Sequence, residues 1–141
     1  MSRFTSAEIA YLQSQRLGRL ATTNEKGDLH VVPVGFRYNP ETDTIDIGGH
    51  NIAASKKYRE ALHHGRIAFV VDDVLPPWRP RFVEVRGTVQ AISSGGETIN
   101  AQFASDMPRL TPTYIVSFGI NDDGIMPGSQ RKVHYHGRKV E

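Results

Sequence analysis

The sequence contains no cysteine among its 141 residues. This absence excludes disulfide bonds, thiolate nucleophiles, iron–sulfur clusters and cysteine-based zinc sites. Long hydrophobic runs are absent too, because the longest, such as residues 67–71, are far too short to span a bilayer. The N-terminal residues include Glu8 and lack the apolar stretch of a secretion signal. We therefore expect a soluble cytoplasmic protein with no part in the membrane.

An excess of one charge is also missing. Seventeen Lys and Arg residues against fifteen Asp and Glu residues leave a formal charge of +2. A general nucleic-acid binder would carry a dense basic face, so we expect no nucleic-acid partner. Basic residues do gather near the C-terminus, at Arg131, Lys132, Arg138 and Lys139. Two interpretations of this tail remain, a solvated surface or a segment that contacts phosphate or an acidic coenzyme.

What the chain does contain is a series of short strands joined by tight turns. The length and the 38% hydrophobic content suit one globular domain over residues 1–141. Thr5 and Glu8 have capping-box spacing and predict a helix that ends near Ser14, with Ile9, Ala10 and Leu12 turned inward. The other predicted segments are a hairpin over 18–38, strands over 44–48, 66–72, 82–92 and 114–118, helices over 53–63 and 96–104, and a proline-rich loop over 76–80.

This order of elements indicates an antiparallel barrel. Strands joined by tight turns pair antiparallel, and a doubly wound nucleotide-binding fold would need a helix after each strand. The phosphate-binding motifs GxGxxG and GxxxxGK[ST] do not occur. Closing about six strands into a barrel removes exposed strand edges. We predict a mainly β fold with a few short helices.

Two segments could bind a ligand. Paired glycines, Gly48 and Gly49, precede Ser55, Lys56 and Lys57 at the start of a predicted helix. Free amide donors and lysine charge suit a phosphate group there, although a solvated surface explains the same residues. The second segment is the strand around Pro33, because proline removes one hydrogen bond from a sheet. It is either an ordinary edge strand or a backbone that faces a flat ligand.

Other kinds of chemistry find little support in the sequence. His134 and His136 would point the same way on a strand, but no third ligand is near, so we expect no metal site. No serine has the sequence context of a hydrolase nucleophile.

Several motifs, in this order, resemble the pyridoxamine 5'-phosphate oxidase-like split-barrel superfamily, and most closely its actinobacterial branch of deazaflavin (coenzyme F420)-dependent oxidoreductases. The resemblance covers about residues 8–120, which leaves residues 121–141 as a basic tail. The motifs are GRLAT at 18–22, HVVPVGF at 30–36, IDIGG at 45–49, SKK at 55–57, IAFVVDD at 67–73 and PRFVEVRG at 80–87.

The resemblance implies a six-stranded antiparallel split barrel of the FMN-binding type. It also implies a homodimer with the cofactor in each of two clefts between the subunits. The cofactor ring would lie along Val32, Pro33 and Val34, and the phosphate would bind Ser55 and Lys57, with Lys56 nearby. A loop that carries Pro77, Trp78 and Arg81 would approach the cleft from the partner chain.

Three positions depart from the pattern of the family. Glu60 stands where asparagine is common, Phe82 where glycine is common, and Thr113-Tyr114 where two arginines are common. The expected activity is hydride transfer from coenzyme F420 to a small unsaturated or quinone-like acceptor. FMN is the alternative cofactor, and a non-catalytic flavin- or haem-binding module is the alternative class. Tyr38, Tyr58, His50 and water are candidate proton donors, and no residue is assigned as catalytic.

Overall fold

The structure is a computed structural model that describes residues 2–50, 56–120 and 135–141, without the side chain of Lys57. Within these ranges, no helix is long and apolar enough to cross a membrane. The helices are α1 (Ser6–Ser14) and α2 (Lys56–His64). The strands are β1 (Leu17–Thr23), β2 (Leu29–Asn39), β3 (Thr44–Gly48), β4 (Arg66–Leu75), β5 (Arg79–Ile92), β6 (Met107–Phe118) and β7 (His136–Lys139).

The sheet closes on itself through β3. The strand order is β3-β2-β1-β4-β5-β6-β7, and β3 also pairs with β6. All the pairings are antiparallel, and the contact of β3 with β6 joins Ile45 to Leu110. Six strands therefore form a closed barrel, and β7 extends the sheet beyond β6 at Tyr114–Ser117. The predicted six-stranded antiparallel barrel is confirmed, and β7 is an additional strand.

The core fills the inside of this barrel. Strands β4 and β5 bury alternate residues, as their period-two sequence predicts. The residues of the core with almost no exposed surface include Leu12, Leu20, Ile45, Ile47, Phe69, Val71, Val83, Val85, Leu110 and Ile115. Each strand thus turns one face into the barrel and the other outward, and this alternation decides which residues can meet a ligand.

Helix α1 closes one end of the barrel, and Glu8 fixes it there. The predicted capping box is present, because the Thr5 hydroxyl accepts from the Glu8 amide and the Glu8 carboxylate accepts from the Thr5 amide. The same carboxylate is buried and receives two hydrogen bonds from Arg138 of β7, at 2.6 and 2.9 Å. The helix buries Tyr11 and Leu12, while Ala10, which the sequence placed inward, is exposed.

Arg138 therefore is not part of a solvated tail. Its guanidinium also donates to the Arg3 carbonyl at 2.8 Å, so it holds the N-terminus, α1 and β7 together. Burial acts to raise the pKa of Glu8, but the hydrogen bonds from Arg138, from the Thr5 amide and from Ser117 hold this pKa below its ordinary value. The carboxylate is consequently ionised and paired at neutral pH.

Two predicted elements differ from the structure. The segment over 96–104 forms a single 3-10 turn at Gly96–Thr98, because the Gly96 amide donates to the Ser105 carbonyl and folds the segment back on itself. The predicted loop over 76–80 is shorter, because β5 begins at Arg79. Pro80 is tolerated in β5 because it pairs only with Val74, and pairing of β5 with β6 starts at Phe82.

Other boundaries shift by a few residues. Strand β4 continues to Leu75 and β6 begins at Met107, both beyond their predicted limits. The described part of α2 starts at Lys56 and ends at His64. The predicted start of this helix at residues 53–55 lies outside the described residues.

We predict that Arg138→Ala lowers the free energy of unfolding by about 3 kcal/mol at pH 7. This is the low end of the range for breaking a buried ion pair, because the Arg138 side chain is 34% exposed. Since the pKa of Glu8 is lowered in the folded state, the stabilisation is present above the ordinary carboxyl pKa and is lost as the pH falls through the folded value. Urea unfolding at several pH values measures both effects.

The matched control is Arg16→Ala, which removes an exposed arginine elsewhere on the surface. We expect this variant to stay within about 0.5 kcal/mol of the wild type. Equal unfolding midpoints for the Arg138 and Arg16 variants would contradict the role of the buried pair.

Candidate functional site

Half of strand β2 has a free edge. On one side β2 pairs with β1 along Leu29 to Gly35, but on the other side it pairs with β3 only from Gly35 onward. Among the described residues, no strand pairs with the second side between Leu29 and Val34. Pro33 lies within this free stretch, as expected of a residue that lacks an amide donor. The segment around Pro33 is therefore an edge among the described residues, as both interpretations of it require.

The three residues predicted to lie along a cofactor ring occupy this edge. Val34 points into the barrel and is buried, and Val32 is partly buried against the core. Pro33 is exposed on the outer face of the barrel. A flat ligand beside this strand would meet backbone polar groups and an apolar surface, which is the usual composition of a ligand site.

The outer face beside this edge is largely apolar. Val31 is 69% exposed, and it lines a shallow depression of 590 Å³ together with residues of β1, β4 and β5. Ala21, Ala68 and Val70 provide its apolar floor. An Arg19–Asp72 ion pair of 3.2 Å and Glu84 supply the charges of this depression. Contiguous exposed apolar surface of this kind marks a region for contact with a ligand or another protein.

Helix α2 is attached to the hairpin of β1 and β2 by a carboxylate. Glu60 accepts from the His30 ring at 2.8 Å and from the Thr22 hydroxyl at 3.4 Å, and its side chain is only 9% exposed. The hydrogen bond from His30 lowers the pKa of Glu60, and the charges of His30 and Lys56 lower it further. Glu60 is therefore an anion held close to the beginning of α2.

Lys56 is exposed at the start of α2 and lies beside that anion. Its Nζ atom is 4.0 Å from Oε1 of Glu60, a buried oxygen that accepts no hydrogen bond from the described residues. Ser55 and the side chain of Lys57 lie outside the described residues, so their predicted contact with a phosphate stays a prediction. The described side chains at the start of α2 thus include one lysine, Lys56, and the negative charge of Glu60 partly offsets its positive charge.

The cleft between α2 and the hairpin has a balanced charge. It has a volume of 440 Å³ and is lined by Lys26, Lys56 and Arg59, by Glu25, Asp28 and Glu60, and by His63. The three Lys and Arg side chains face three carboxylates, and His63 contacts Glu25 at 2.7 Å. The described lining therefore holds as many carboxylates as Lys and Arg side chains, and it does not include the side chain of Lys57.

The third group of predicted site residues lies at the opposite end of the barrel. Strand β4 pairs with β1 through Val70 and Arg19 and then continues past the Leu17 end of β1. Pro77 and Trp78 form the turn after β4, where Trp78 is 75% exposed. Lys56 lies at the other end, beside the turn between β1 and β2. One chain therefore does not bring these two groups together.

Arg81 already has an internal partner. Its guanidinium donates two hydrogen bonds to Asp73, at 2.7 and 2.8 Å, and lies 4.9 Å from the centre of the Tyr11 ring. The Tyr11 hydroxyl donates to the same carboxylate at 2.8 Å. The hydrogen bond from Arg81 lowers the pKa of Asp73, so the pair is ionic. The sequence motif that contains Arg81 gives no indication of this pairing, because the pairing depends on the register of β4 and β5.

The candidate proton donors are also distributed over the barrel. Tyr38 is buried and its hydroxyl donates to Asp43 at 2.8 Å, and burial together with Asp43 raises its pKa. Tyr58 is buried as well, and burial raises its pKa. His50 is exposed near the end of β3, where its Nδ1 atom is 3.2 Å from the Gln102 carbonyl. No residue is assigned as catalytic.

The sequence of this chain is similar to those of known proteins. The family model described as pyridoxamine 5'-phosphate oxidase matches residues 5–127. A 5a,11a-dehydrotetracycline/5a,11a-dehydrooxytetracycline reductase of Streptomyces rimosus is 43% identical over 122 residues, which are 85% of this chain and 86% of the relative.

Solved structures share the fold at low sequence identity. An FAD-binding protein of Mycobacterium smegmatis is 23% identical with a TM-score of 0.61, over 81% of this chain and 93% of that one. A haem-binding protein of the same organism is 13% identical with a TM-score of 0.66, over 99% of this chain and 60% of the other. The chain belongs to the pyridoxamine 5'-phosphate oxidase family, and it is an oxidoreductase.

Proposed function

We propose that this chain is a reductase that uses the deazaflavin coenzyme F420 to transfer hydride to a small unsaturated or quinone-like acceptor. The observation that carries the proposal is the free edge of β2 over Leu29 to Val34, which ends beside the cleft next to α2. The reductase of Streptomyces rimosus supports the class of reaction, because the names of its substrates denote dehydro compounds, which contain an additional double bond.

The residues present fit a flat cofactor with an anionic tail. The free edge offers backbone polar groups that have no strand partner within residues 2–50, 56–120 and 135–141, and Lys56 and Arg59 are exposed in the first turn of α2. When bound, the cofactor would supply the hydride. Val32, Pro33 and Val34 would align the ring, while Ser55 and Lys57, with Lys56 nearby, would bind the phosphate. Pro77, Trp78 and Arg81 would approach from a partner chain.

The charge balance around α2 favours the deazaflavin over FMN. At the phosphate itself, coenzyme F420 carries one negative charge, in a phosphodiester that continues into an acidic glutamate tail, whereas the terminal phosphate of FMN carries two. Glu60 is anionic and partly offsets Lys56, so a second charge on the ligand would be repelled more strongly. The preference for F420 thus depends on the described contact of Glu60 with Lys56 and on the phosphate position that the resemblance implies.

Two alternatives have their own support. The FAD-binding neighbour favours a conventional flavin such as FMN, and the haem-binding neighbour favours a non-catalytic module that stores or transports its ligand. A catalyst oxidises its reduced cofactor when an acceptor is added, whereas a storage module binds the ligand without turnover. Stopped-flow oxidation of the reduced, bound cofactor by dehydro and quinone acceptors separates these cases.

We further propose that the protein is a homodimer with the cofactor between subunits. The apolar outer face of β1, β2, β4 and β5 supports this assembly, because such surface is normally covered by a partner. The separation of Lys56 from Trp78 at opposite ends of one barrel supports it too. A second copy could bring its own Trp78 turn to the site of the first.

We predict that protein from a bacterial host without deazaflavin purifies colourless and then binds added F420 more tightly than FMN. Glu60→Gln should strengthen FMN binding roughly three- to tenfold and F420 binding less, because it removes the repulsion of a second charge. Absorbance titrations measure both affinities. The control is Glu25→Gln, which removes an exposed carboxylate from the same cleft. A yellow preparation that contains one FMN per chain would show that the cofactor is FMN and not F420.

We predict that Lys57→Ala weakens cofactor binding roughly ten- to a hundredfold, because a charge-assisted hydrogen bond contributes about 1.5–3 kcal/mol. The fold should survive this change at the beginning of a helix. Titration of both proteins with the cofactor measures the change, and Arg16→Ala, at an exposed position between α1 and β1, is the control. Equal affinities for wild type and the Lys57 variant would place the phosphate elsewhere.

We predict that Val70→Lys prevents dimer formation, because it puts a charge into the apolar floor of the outer face. Sedimentation equilibrium at micromolar concentration should give a dimer for the wild type and a 15.7 kDa species for the variant. Glu41→Lys, in the exposed turn between β2 and β3, should remain dimeric. A wild type that sediments only as a monomer would refute the assembly.

A further inference from the structure

The Phe103 ring lies on two paired glycines at the end of the free edge. Gly35 of β2 is directly opposite Gly48 of β3. A Cβ atom at Gly35 would be 2.6 Å from the Phe103 ring, and one at Gly48 would be 2.7 Å from it. Neither position has room for a side chain while the ring is in place. The two glycines therefore form a flat floor that this ring covers.

This floor is on the same face of the sheet as Pro33. Side chains alternate along a strand, so residues two apart point the same way, and Gly35 is two residues after Pro33. Gly35 is also the residue at which β3 begins to pair with β2. The free edge and the exposed surface around Pro33 thus end together at the Phe103 ring.

The ring is held in place by several contacts. Ile99 from the same segment packs against Gly48, where an added Cβ would be 2.9 Å from its Cδ1 atom. The His50 ring meets Phe103 edge to face, with 5.2 Å between centres. The Ala104 amide donates to the Gly49 carbonyl at 3.1 Å. The segment between β5 and β6 is therefore fastened to the end of β3, and Phe103 has a defined position.

We propose that Phe103 is a specificity-determining residue whose ring forms the wall at the Gly35 end of the cofactor-ring site. This inference rests on the proposed function, because it places a flat ring along Val32, Pro33 and Val34. A ring on that strand would extend toward Gly35 until it met the edge of Phe103. Contact between aromatic edges and faces stabilises such an arrangement. The wall limits how far along β2 the ring can lie.

The test compares two ligands in the wild type and in Phe103→Ala. One ligand is coenzyme F420, and the other is its deazaflavin chromophore with the ribityl chain but without phosphate. If the Phe103 ring contacts the ligand ring, Phe103→Ala should weaken the binding of both ligands by the same factor, roughly three- to tenfold. It should also shift the visible absorption band of the bound chromophore. Phe103→Leu, which keeps an apolar side chain there, should recover most of the affinity.

The outcomes separate this inference from other roles of the segment. Unchanged affinity for both ligands would overturn it, and so would a loss confined to F420, which would indicate an effect on phosphate binding. Gln102→Ala changes the exposed neighbour of Phe103 and should bind both ligands as the wild type does. Thermal unfolding shows whether each variant is folded.

The wild-type titration tests the proposed function separately. If the wild type binds riboflavin and FMN in preference to the deazaflavins, F420 is the wrong cofactor. Riboflavin and FMN then replace the two ligands in the same comparison, because they also differ by one phosphate. Equal losses for that pair in Phe103→Ala would still support the wall.

Discussion

The pairing of β3 with both β2 and β6 is the constraint on which this structure depends. Strand β3 has only five residues, and it must close the barrel on β6 while it also pairs with β2, which has eleven residues. It can cover β2 only from Gly35 onward, so the half that contains Pro33 keeps a free edge. Exposed edges are normally protected, and a retained one is available to a ligand. Closure of the barrel thus creates the candidate site.

Buried carboxylates connect the two helices to this barrel. Glu8 caps α1 and binds Arg138, and Glu60 connects α2 to His30. The second contact has a consequence for function, because Glu60 is fixed beside Lys56 whatever ligand is present. The residue that attaches the helix to the hairpin is therefore also the one on which the proposed preference for F420 depends.

The candidate residues are divided between two ends of the barrel, so the site proposed above needs a second chain. The register of β1 with β4 places the Trp78 turn and Lys56 at opposite ends of the barrel. The apolar outer face lies between these ends and gives a second copy a surface to cover. The proposed assembly and the proposed activity thus depend on the same geometry.

The sequence by itself determined the class of fold and most of the local elements, although not the segment over 96–104 or strand β7. The capping box at Thr5, the turn residues between strands and the period-two pattern of β5 are local signals, and all three appear in the structure as predicted. Long-range pairings decided the rest. Arg81 pairs with Asp73, Arg138 pairs with Glu8, and Phe103 covers two glycines, because the strand register and the closure of the barrel bring residues together that are distant in the sequence. No local pattern encodes such distances, so only the tertiary structure could decide them.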